Sequence, residues 1–499
     1  MSANPSDTKE RAIAAGPNAR TGAADRAPGP LREIDDLPGP RGLPFIGSML
    51  AVKRDRVHQS IEAWCRKYGP YYRLGLGNRR FLVVADHEAL AGAMRDRPDG
   101  FRRSVRLEQV SHEMFGDASG VFIAHGEAWR RQRRMVMAGF DPGHVKDYFP
   151  SLKNVALRLR GRWQKAARAN APIDLTADLM RYTVDAIAGL AFGTDINTLE
   201  SDGDVIQSHL DKIFPALFRR TFSPVRYWRY IRLPADRALD RSLAEVATAI
   251  ENFIARARER IAADQALREH PRNLLEAMIV AADEPDSGLG DREVGANVLT
   301  MLLAGEDTTA NTLAWMIHLL WRNPQALARA REEVRRVAGD PAQFTMESIN
   351  ALEYVEACAH ETMRLKPVAP FQLLQTLRDT TVGDIRVPTG TIIWGVMRHD
   401  TLDARHFPDP LAFDPGRWLA GENAGQATSA KRVSMPFGAG PRICPGRYLA
   451  LLEIKMAMAL LLSSFDVVAV DTPDGGEATE SLAITMAPVG VVMRLSERA

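Results

Sequence analysis

The residues of this chain best suited to thiolate chemistry lie in the segment FGAGPRICPG at positions 437–446. Within it stand Cys444, one of three cysteines in the chain, and Arg442. The apolar helix predicted directly after the segment favours a thiolate, because a helix N-terminus offers free N–H groups and a positive dipole end. The glycines allow close approach to a flat ligand, and the arginine fork suits a carboxylate. A lone cysteine is more often a small buried hydrophobe, so these residues alone leave both interpretations open.

A second group of chemically capable residues interrupts an apolar helix predicted over about 291–322. Its interior contains the polar run GEDTT at 305–309, and polar groups inside an apolar helix need a reason. The Thr308 hydroxyl can bond the carbonyl of Ala304 four residues back, which loosens the helix. The result is a polar notch large enough for a diatomic ligand and water. A plain helix kink is the alternative.

Two further pairs have spacings that place both side chains on one helix face. Trp129 and Arg133 are four residues apart, and Glu361 and Arg364 are three apart. An exposed, ion-paired arginine is the common alternative for Arg133. Spacing therefore predicts which side chains are neighbours and leaves their role open.

These motifs resemble those of the cytochrome P450 family and occur in the family's order over residues 37–499. The cysteine loop matches F-x-x-G-x-R-x-C-x-G, and AGEDTT matches A-G-x-[DE]-T-[TS]. The two helix pairs match W-x-x-x-R and E-x-x-R. The resemblance implies a mainly α fold with a small β region. Haem would lie between the central helix (about 291–322) and the helix following Cys444.

The resemblance also implies a role for each motif. Cys444 would be the axial thiolate of a haem b iron, which favours O–O cleavage. Asp307 and Thr308 would deliver the protons that oxygen activation consumes. The implied haem contacts are Trp129, Arg133, Ala304, Phe437, Arg442 and Gly446. The implied buried charge network under the haem consists of Glu361, Arg364 and Arg417. The implied substrate pocket is lined by Val121, Phe122, Leu303, Ala304, Val368, Ala369 and Phe371.

The chain departs from the commonest family pattern at two places. Leu374 stands where many members carry a propionate-binding arginine, which removes one expected haem contact. Further on, Arg398-His399-Asp400 replaces the frequent order His-Arg-Asp and leaves the partner of His399 open.

Composition limits the classes to which the protein can belong. Its 499 residues are 45% apolar and 25% charged, and the net charge of +2 argues against a nucleic-acid binder. Three widely spaced cysteines make neither a disulfide framework nor a zinc site, which favours a reducing compartment. Residues 1–36 contain no apolar block, so we expect a disordered tail, a single catalytic domain at 37–499 and no transmembrane anchor. We also expect a cytoplasmic protein, and the heavy use of Ala and Arg favours a bacterial source.

The leading hypothesis is a haem-thiolate monooxygenase that hydroxylates or epoxidises a hydrophobic small molecule with O2. The sequence contains no flavin or iron–sulfur motif, so electrons from NAD(P)H would arrive through an acidic ferredoxin or flavodoxin and its reductase. A monomer is expected. The basic residues expected at the docking face are Arg130, Arg131, Arg134, Arg447 and Lys455.

Two other hypotheses remain open. One is a peroxide-using or rearranging member of the family, such as an isomerase or dehydratase. The other is a haem protein that only binds or senses a ligand. The Asp307-Thr308 pair argues against both, because neither activity needs protons delivered to dioxygen.

Overall fold

Helices form most of the fold, and the strands are short. The computed structural model describes residues 30–77, 79–116, 120–140, 142–201, 206–419 and 424–498. Within these ranges the helices are α1 (Val57–Tyr68), α2 (His87–Arg95), α3 (Val105–Phe115), α4 (Gly126–Gly139), α5 (Pro142–Arg168), α6 (Leu175–Phe192), α7 (Ile206–Leu210), α8 (Ile213–Phe222), α9 (Pro234–Ala263), α10 (Ala266–Glu269), α11 (Leu274–Asp283), α12 (Asp291–Arg322), α13 (Pro324–Val337), α14 (Met346–Asn350), α15 (Glu353–Leu365), α16 (Ala424–Ser434) and α17 (Arg447–Ser464). The strands are β1 (Tyr71–Leu76), β2 (Arg79–Val84), β3 (Phe101–Arg103), β4 (Ile173–Asp174), β5 (Phe371–Thr376), β6 (Thr380–Val382), β7 (Ile385–Val387), β8 (Ile392–Val396), β9 (Phe465–Asp471), β10 (Thr479–Leu482), β11 (Met486–Val489) and β12 (Val492–Glu497). The predicted mainly α fold with a small β region is confirmed.

Helix α12 is buried along most of its length, and its bounds match the predicted 291–322. A helix that is apolar on nearly every face needs neighbours on nearly every face. Helix α6 packs directly behind the polar notch, where Thr183 Oγ1 donates to Glu306 O at 2.9 Å. Gly305 permits this approach, because a Cβ there would lie 3.0 Å from the Ile187 side chain. The notch is therefore supported from behind by a second helix.

Glycines shape the cysteine loop before α17. Gly438 and Gly440 have φ values of 78° and 70°, a backbone region that side chains disfavour. A Cβ on Gly440 would lie 2.5 Å from the carbonyl oxygen of Met94, so the loop and α2 meet backbone to backbone. The helix that follows is almost entirely buried and packs against α12. The loop is thus held between α2 and the base of α17.

Four small sheets complete the fold in the described part of the chain. The largest has the order β1-β2-β8-β5-β3, in which β1 and β2 form an antiparallel hairpin. Strand β12 pairs with β4 and β9, and β6 pairs with β7. Strands β10 and β11 form a separate hairpin in which Leu482 faces Met486. This hairpin becomes important below because its turn reaches α12.

The expected tail does not extend through residue 36. Arg32 donates to both carboxylate oxygens of Asp384, at 2.8 and 2.7 Å, and forms a bridge with Ile385 in β7. Residues 30–36 therefore pack on the β6–β7 hairpin, because backbone pairing and an ion pair hold them there. The rest of the predicted tail, residues 1–29, lies outside the described residues. Among the described helices, none has both the length and the apolar character that crossing a bilayer demands.

Candidate active site

Cys444 lies part-exposed in its loop, just before α17. Its backbone N–H donates to Phe437 O at 3.0 Å, so Phe437 closes the loop through its main chain. Burial raises the pKa of the Cys444 thiol, whereas the Gly446 backbone N–H, Arg133 and Arg447 oppose that rise. The sulfur therefore has an N–H donor and two cations that favour the thiolate form.

Arg442 extends from the same loop toward the start of α4. Its Nη2 donates to the carbonyl oxygens of Val121 (2.9 Å) and Ala124 (2.6 Å). The guanidinium carbon lies 5.1 Å from the centre of the Trp129 ring, a cation–π contact. Its Nη1 is buried and has no partner among the described residues. One donor of this guanidinium is thus available to an additional ligand.

Two more arginines contribute to this cluster. Arg97, which follows α2, is 5% exposed, and its Nε and Nη2 have no partner in the described ranges. Arg133 donates from Nη2 to Ile443 O at 2.8 Å. Burial lowers the pKa of Arg97 to about 10. Burial, and then repulsion from Arg97 and Arg133, lowers the pKa of Arg442 to about 9.

The cluster fits a ligand that carries carboxylates. Buried guanidinium groups without an anion are costly, so their unpaired donors indicate a negatively charged partner. The two propionates of haem b would supply that charge next to Cys444. Leu374 is fully buried in β5 and adds no charge, whereas Arg97 adds one that the motifs do not reveal. Sequence reasoning missed Arg97 because a single arginine after a helix gives no sign of being buried.

The predicted notch is present in α12. Thr308 Oγ1 donates to Ala304 O at 2.7 Å, as expected for a threonine that loosens its helix. The Asp307 carboxylate instead accepts from Asn311 Nδ2 at 3.1 Å and from the Thr485 hydroxyl. Burial raises the pKa of Asp307, and these two hydrogen bonds oppose the rise. The acid and the alcohol therefore sit on adjacent residues but bond to different partners.

The residues predicted to line a pocket differ in exposure. Val121 and Leu303 are 7% exposed and belong to the core. Phe122 is 36% exposed, and the Arg103 guanidinium lies 3.9 Å from its ring centre. The other predicted pocket residues are exposed or part-exposed: Ala304, Val368, Ala369 and Phe371. Exposure of Ala304 is unusual inside a buried helix and indicates that α12 borders a cavity at the notch.

The predicted charge network is assembled around Glu361. Arg364 donates to both carboxylate oxygens, at 2.8 and 2.7 Å, and Arg417 Nε donates at 3.3 Å. Two donors were not predicted: Trp418 Nε1 at 2.9 Å and the Asp414 backbone N–H at 2.9 Å. Glu361 and Arg364 are fully buried, so the network crosslinks α15 to the segment before α16 in a solvent-free region.

A second buried charge network was not predicted. Arg398 donates to both oxygens of Glu62 (2.9 and 2.7 Å) and of Glu480 (2.7 and 3.0 Å). Glu480 also bonds His58 and Lys366, each at 2.9 Å. Although burial opposes ionisation, hydrogen bonds from His58 and Arg398 hold the pKa of Glu480 far below its usual range. Arg398, whose position looked like a departure in the sequence, is thus the centre of a network joining α1, α15 and β10.

The basic residues expected at a docking face are not all accessible. The prediction that Lys455 belongs to this face is wrong, because Lys455 is 4% exposed and donates to Glu356 at 2.8 Å. The apolar helix α17 buries this turn, and the lysine is neutralised there. Arg130 is paired with Asp99 at 2.6 Å. The expected residues that are exposed are Arg134 and Arg447.

Comparison with known proteins agrees with the geometry. Residues 37–493 match the family model described as Cytochrome P450. The self-sufficient cytochrome P450 monooxygenase CYP505E3 of Phanerodontia chrysosporium is 30% identical over 462 residues, or 90% of this chain and 42% of that protein. Cytochrome P450 3A6 of Oryctolagus cuniculus is 27% identical over 450 residues, or 86% of this chain and 85% of that protein.

The fold also has a solved counterpart. The crystal structure of the cytochrome P450DA heme domain matches with a TM-score of 0.80 and 23% identity, covering 94% of this chain and 99% of that one. This chain spans less than half the length of the self-sufficient relative from Phanerodontia chrysosporium. The family model covers nearly all of the chain, and the thiol loop, the arginine cluster and the notch occupy the matched region. On this evidence, the chain belongs to the cytochrome P450 family.

Proposed function

We propose that this protein is a haem-thiolate monooxygenase that hydroxylates or epoxidises a hydrophobic small molecule. Hydroxylation would consume the substrate, one dioxygen, two electrons and two protons, and would yield the alcohol and one water. The observation that carries the proposal is the position of Cys444 beside buried and half-buried arginines that have no anionic partner among the described residues. Such a site is better explained by the binding of a metal porphyrin than by a cysteine that only fills space in the core.

Haem b is the cofactor that this site would hold. Cys444 would bind the iron, and Arg97, Arg133 and Arg442 would bind the propionates. When bound, haem would supply the metal at which dioxygen is reduced. Trp129 would pack beside it, because its ring lies against the Arg442 guanidinium, and Gly446 would lie near it at the start of α17.

The protein's own residues would perform the remaining tasks. Asp307 would supply protons at its carboxyl oxygens, because burial raises its pKa and lets it hold a proton nearer neutral pH. Thr308 would position the incoming water and proton at the loosened turn that Ala304 borders. The network around Glu361 would keep the cysteine loop in place. These roles divide proton transfer and support between different elements.

The substrate class follows from the wall of the cavity. Val368, Ala369 and Phe371, the apolar residues expected along this wall, are exposed or part-exposed, so a hydrophobic molecule would bind there with little desolvation cost. Electrons would come from NAD(P)H through a separate acidic ferredoxin or flavodoxin. The relatives named self-sufficient offer the alternative of a reductase joined to the same polypeptide.

Spectroscopy of the iron ligand tests the cofactor. The carbon monoxide complex of the reduced protein should show the red-shifted Soret band of thiolate ligation, and Cys444→His should shift it to that of histidine ligation. Cys65→Ala is the matched control, because Cys65 is 1% exposed in the core and should leave the band unchanged. An unchanged band in Cys444→His would remove Cys444 as the ligand.

Isotope labelling tests the reaction. A spectral titration with lipids, terpenoids, steroids and macrolides would first identify a compound that binds. Incubation of that compound with NAD(P)H, a ferredoxin system and labelled dioxygen should place label in the product. Unlabelled rearranged product, or turnover only with peroxide, would contradict the proposal and favour the other enzyme classes.

A further inference from the structure

The contact between α12 and the β10–β11 hairpin has no counterpart among the predicted motifs. Asp307 belongs to the notch, yet its carboxylate bonds the hydroxyl of Thr485, 178 residues later in the chain. Its other donor is Asn311, one turn further along α12. Thr308, the adjacent residue, directs its hydroxyl to the Ala304 carbonyl, as the sequence predicts. The orientation of the acid is therefore set in part from outside its own helix.

Thr485 is held firmly by its neighbours. The Ala483 backbone N–H donates to Thr485 O at 3.0 Å and closes the turn between the two strands. The next residue, Met486, donates its N–H to Val368 O at 2.9 Å and accepts from Trp315 Nε1 at 3.1 Å. Thr485 is 6% exposed. A residue whose backbone is held on both sides can fix the position of the group that its side chain bonds.

The base of the hairpin is equally constrained. Glu480 in β10 is bound by Arg398, His58 and Lys366. This buried network prevents the hairpin from sliding along α12, because movement would expose unpaired charges. The Thr485 hydroxyl therefore stands at a fixed place on the wall that also contains Val368.

The chemistry of a buried carboxyl makes this contact significant. In a low-dielectric site, each donor to a carboxylate favours its charged form and restricts its rotamer. Asp307 has two such side-chain donors, and Thr485 is one of them. Loss of that donor would leave Asn311 alone and would allow the carboxyl to turn away from the notch.

We propose that Thr485 is a positioning residue for proton delivery: its hydroxyl holds the Asp307 carboxyl in the orientation from which protons reach Thr308. The proposal rests on the proposed monooxygenase function. It assigns a task to the hairpin turn beyond lining the cavity. A substrate that contacts the wall at Val368 would lie next to the residue that orients the acid.

The test uses four variants of the haem-loaded full chain. Thr485→Val removes the hydroxyl and keeps the shape, and Thr485→Ser keeps the hydroxyl. Asp307→Asn removes the acid, and the double variant Thr485→Val with Asp307→Asn reports whether the two act together. Thr479→Val is the matched control, because Thr479 lies on β10 of the same hairpin and away from its turn.

We expect Thr485→Val to lower the ratio of product formed to hydrogen peroxide released by about tenfold, the usual effect of one lost hydrogen bond to a charged group. Hydrogen peroxide release should rise correspondingly, while the Kd for the compound found by spectral titration stays unchanged. Thr485→Ser should restore product, and Thr479→Val should match the wild type. In the Asp307→Asn background, Thr485→Val should have no further effect.

A structural measurement checks the contact independently of activity. Thr485→Val should lower the melting temperature in the wild-type background and lower it less in the Asp307→Asn background. Equal shifts in both backgrounds, or normal coupling of product to NAD(P)H in Thr485→Val, would overturn the proposal. A wild type that forms no oxygenated product would instead overturn the proposed function, whatever the melting temperatures show.

Discussion

At the scale of single residues, the site is defined by charge that lacks a partner. Arg97 is buried and Arg442 is half-buried, and each keeps buried donors that no described residue accepts. Proteins rarely bury such groups without use, because an unpaired buried cation costs several kcal/mol. The arginines therefore indicate that the ligand of this site is negatively charged.

Arg97 gives a prediction about cofactor retention. Arg97→Leu should raise the rate of haem transfer to excess apomyoglobin by about tenfold, because one charge-assisted hydrogen bond to a propionate is lost. Arg80→Leu is the control, since the Arg80 side chain is 89% exposed on β2. Equal transfer rates for the two variants would show that Arg97 does not contact haem.

Glu453 gives a prediction about pH. It is 2% exposed on α17, where burial raises its pKa to about 8 and a hydrogen bond with Thr309 only partly opposes this. The folded protein keeps a proton that the unfolded chain releases, so the free energy of unfolding should fall as pH rises from about 5 to about 8. Urea unfolding of Glu453→Gln, which is neutral throughout, should show a smaller fall. If the free energy of unfolding fell equally with pH in the wild type and in the variant, Glu453 would not be the group responsible.

At the scale of elements, buried charge networks hold short segments against helices. The Glu361 network crosslinks α15 to the segment before α16, and the Arg398 network crosslinks α1 to the β10–β11 hairpin. Each joins a helix to an irregular or short element that could not hold its position by backbone pairing alone. The helices thus provide the rigid part, and the ion pairs transmit that rigidity to the site.

The Glu361 network should be essential for stability. Glu361→Gln removes the charge that neutralises Arg364 and Arg417, so we expect a loss of about 3–5 kcal/mol and weak haem retention. Urea unfolding followed by circular dichroism and by the Soret band measures both effects. Glu353→Gln, an exposed position on the same helix, should behave as the wild type. A wild-type unfolding midpoint in Glu361→Gln would show that the network is dispensable.

Sequence patterns predicted these elements unequally. The bounds of α12 and the Thr308–Ala304 bond could be predicted because both depend on residues within one or two turns. The contact of Asp307 with Thr485 could not, because it joins residues 178 apart through a turn without a motif. The prediction for Lys455 was wrong for a related reason, because charge alone does not reveal that this turn of α17 is buried.

At the scale of the whole molecule, the near-zero net charge makes local charge decisive for encounters with a partner. Arg134 and Arg447 are exposed, on α4 and at the start of α17, two of the elements that contact the cysteine loop. This is the side from which electrons would reach Cys444. An acidic ferredoxin or flavodoxin would meet positive charge there.

Charge reversal tests this docking face. Arg134→Glu combined with Arg447→Glu should slow the first electron transfer from an acidic partner several-fold at low salt, because complementary rim charges act mainly on the encounter rate. Stopped-flow reduction measures the rate, and high salt should remove the difference. Arg237→Glu, exposed on α9, is the control. Equal rates for the double variant and the wild type at low salt would show that docking occurs elsewhere.

The Arg398 network has a consequence for how the protein is made. Its members His58 and Glu480 lie 422 residues apart, so α1 leaves the ribosome long before Arg398, which neutralises Glu62, and before the hairpin that carries Glu480. During that interval the nascent α1 carries acidic and imidazole groups whose buried partners do not yet exist. Final attachment of the amino-terminal helix must therefore be one of the last events of biosynthesis, completed only when the carboxy-terminal hairpin has emerged.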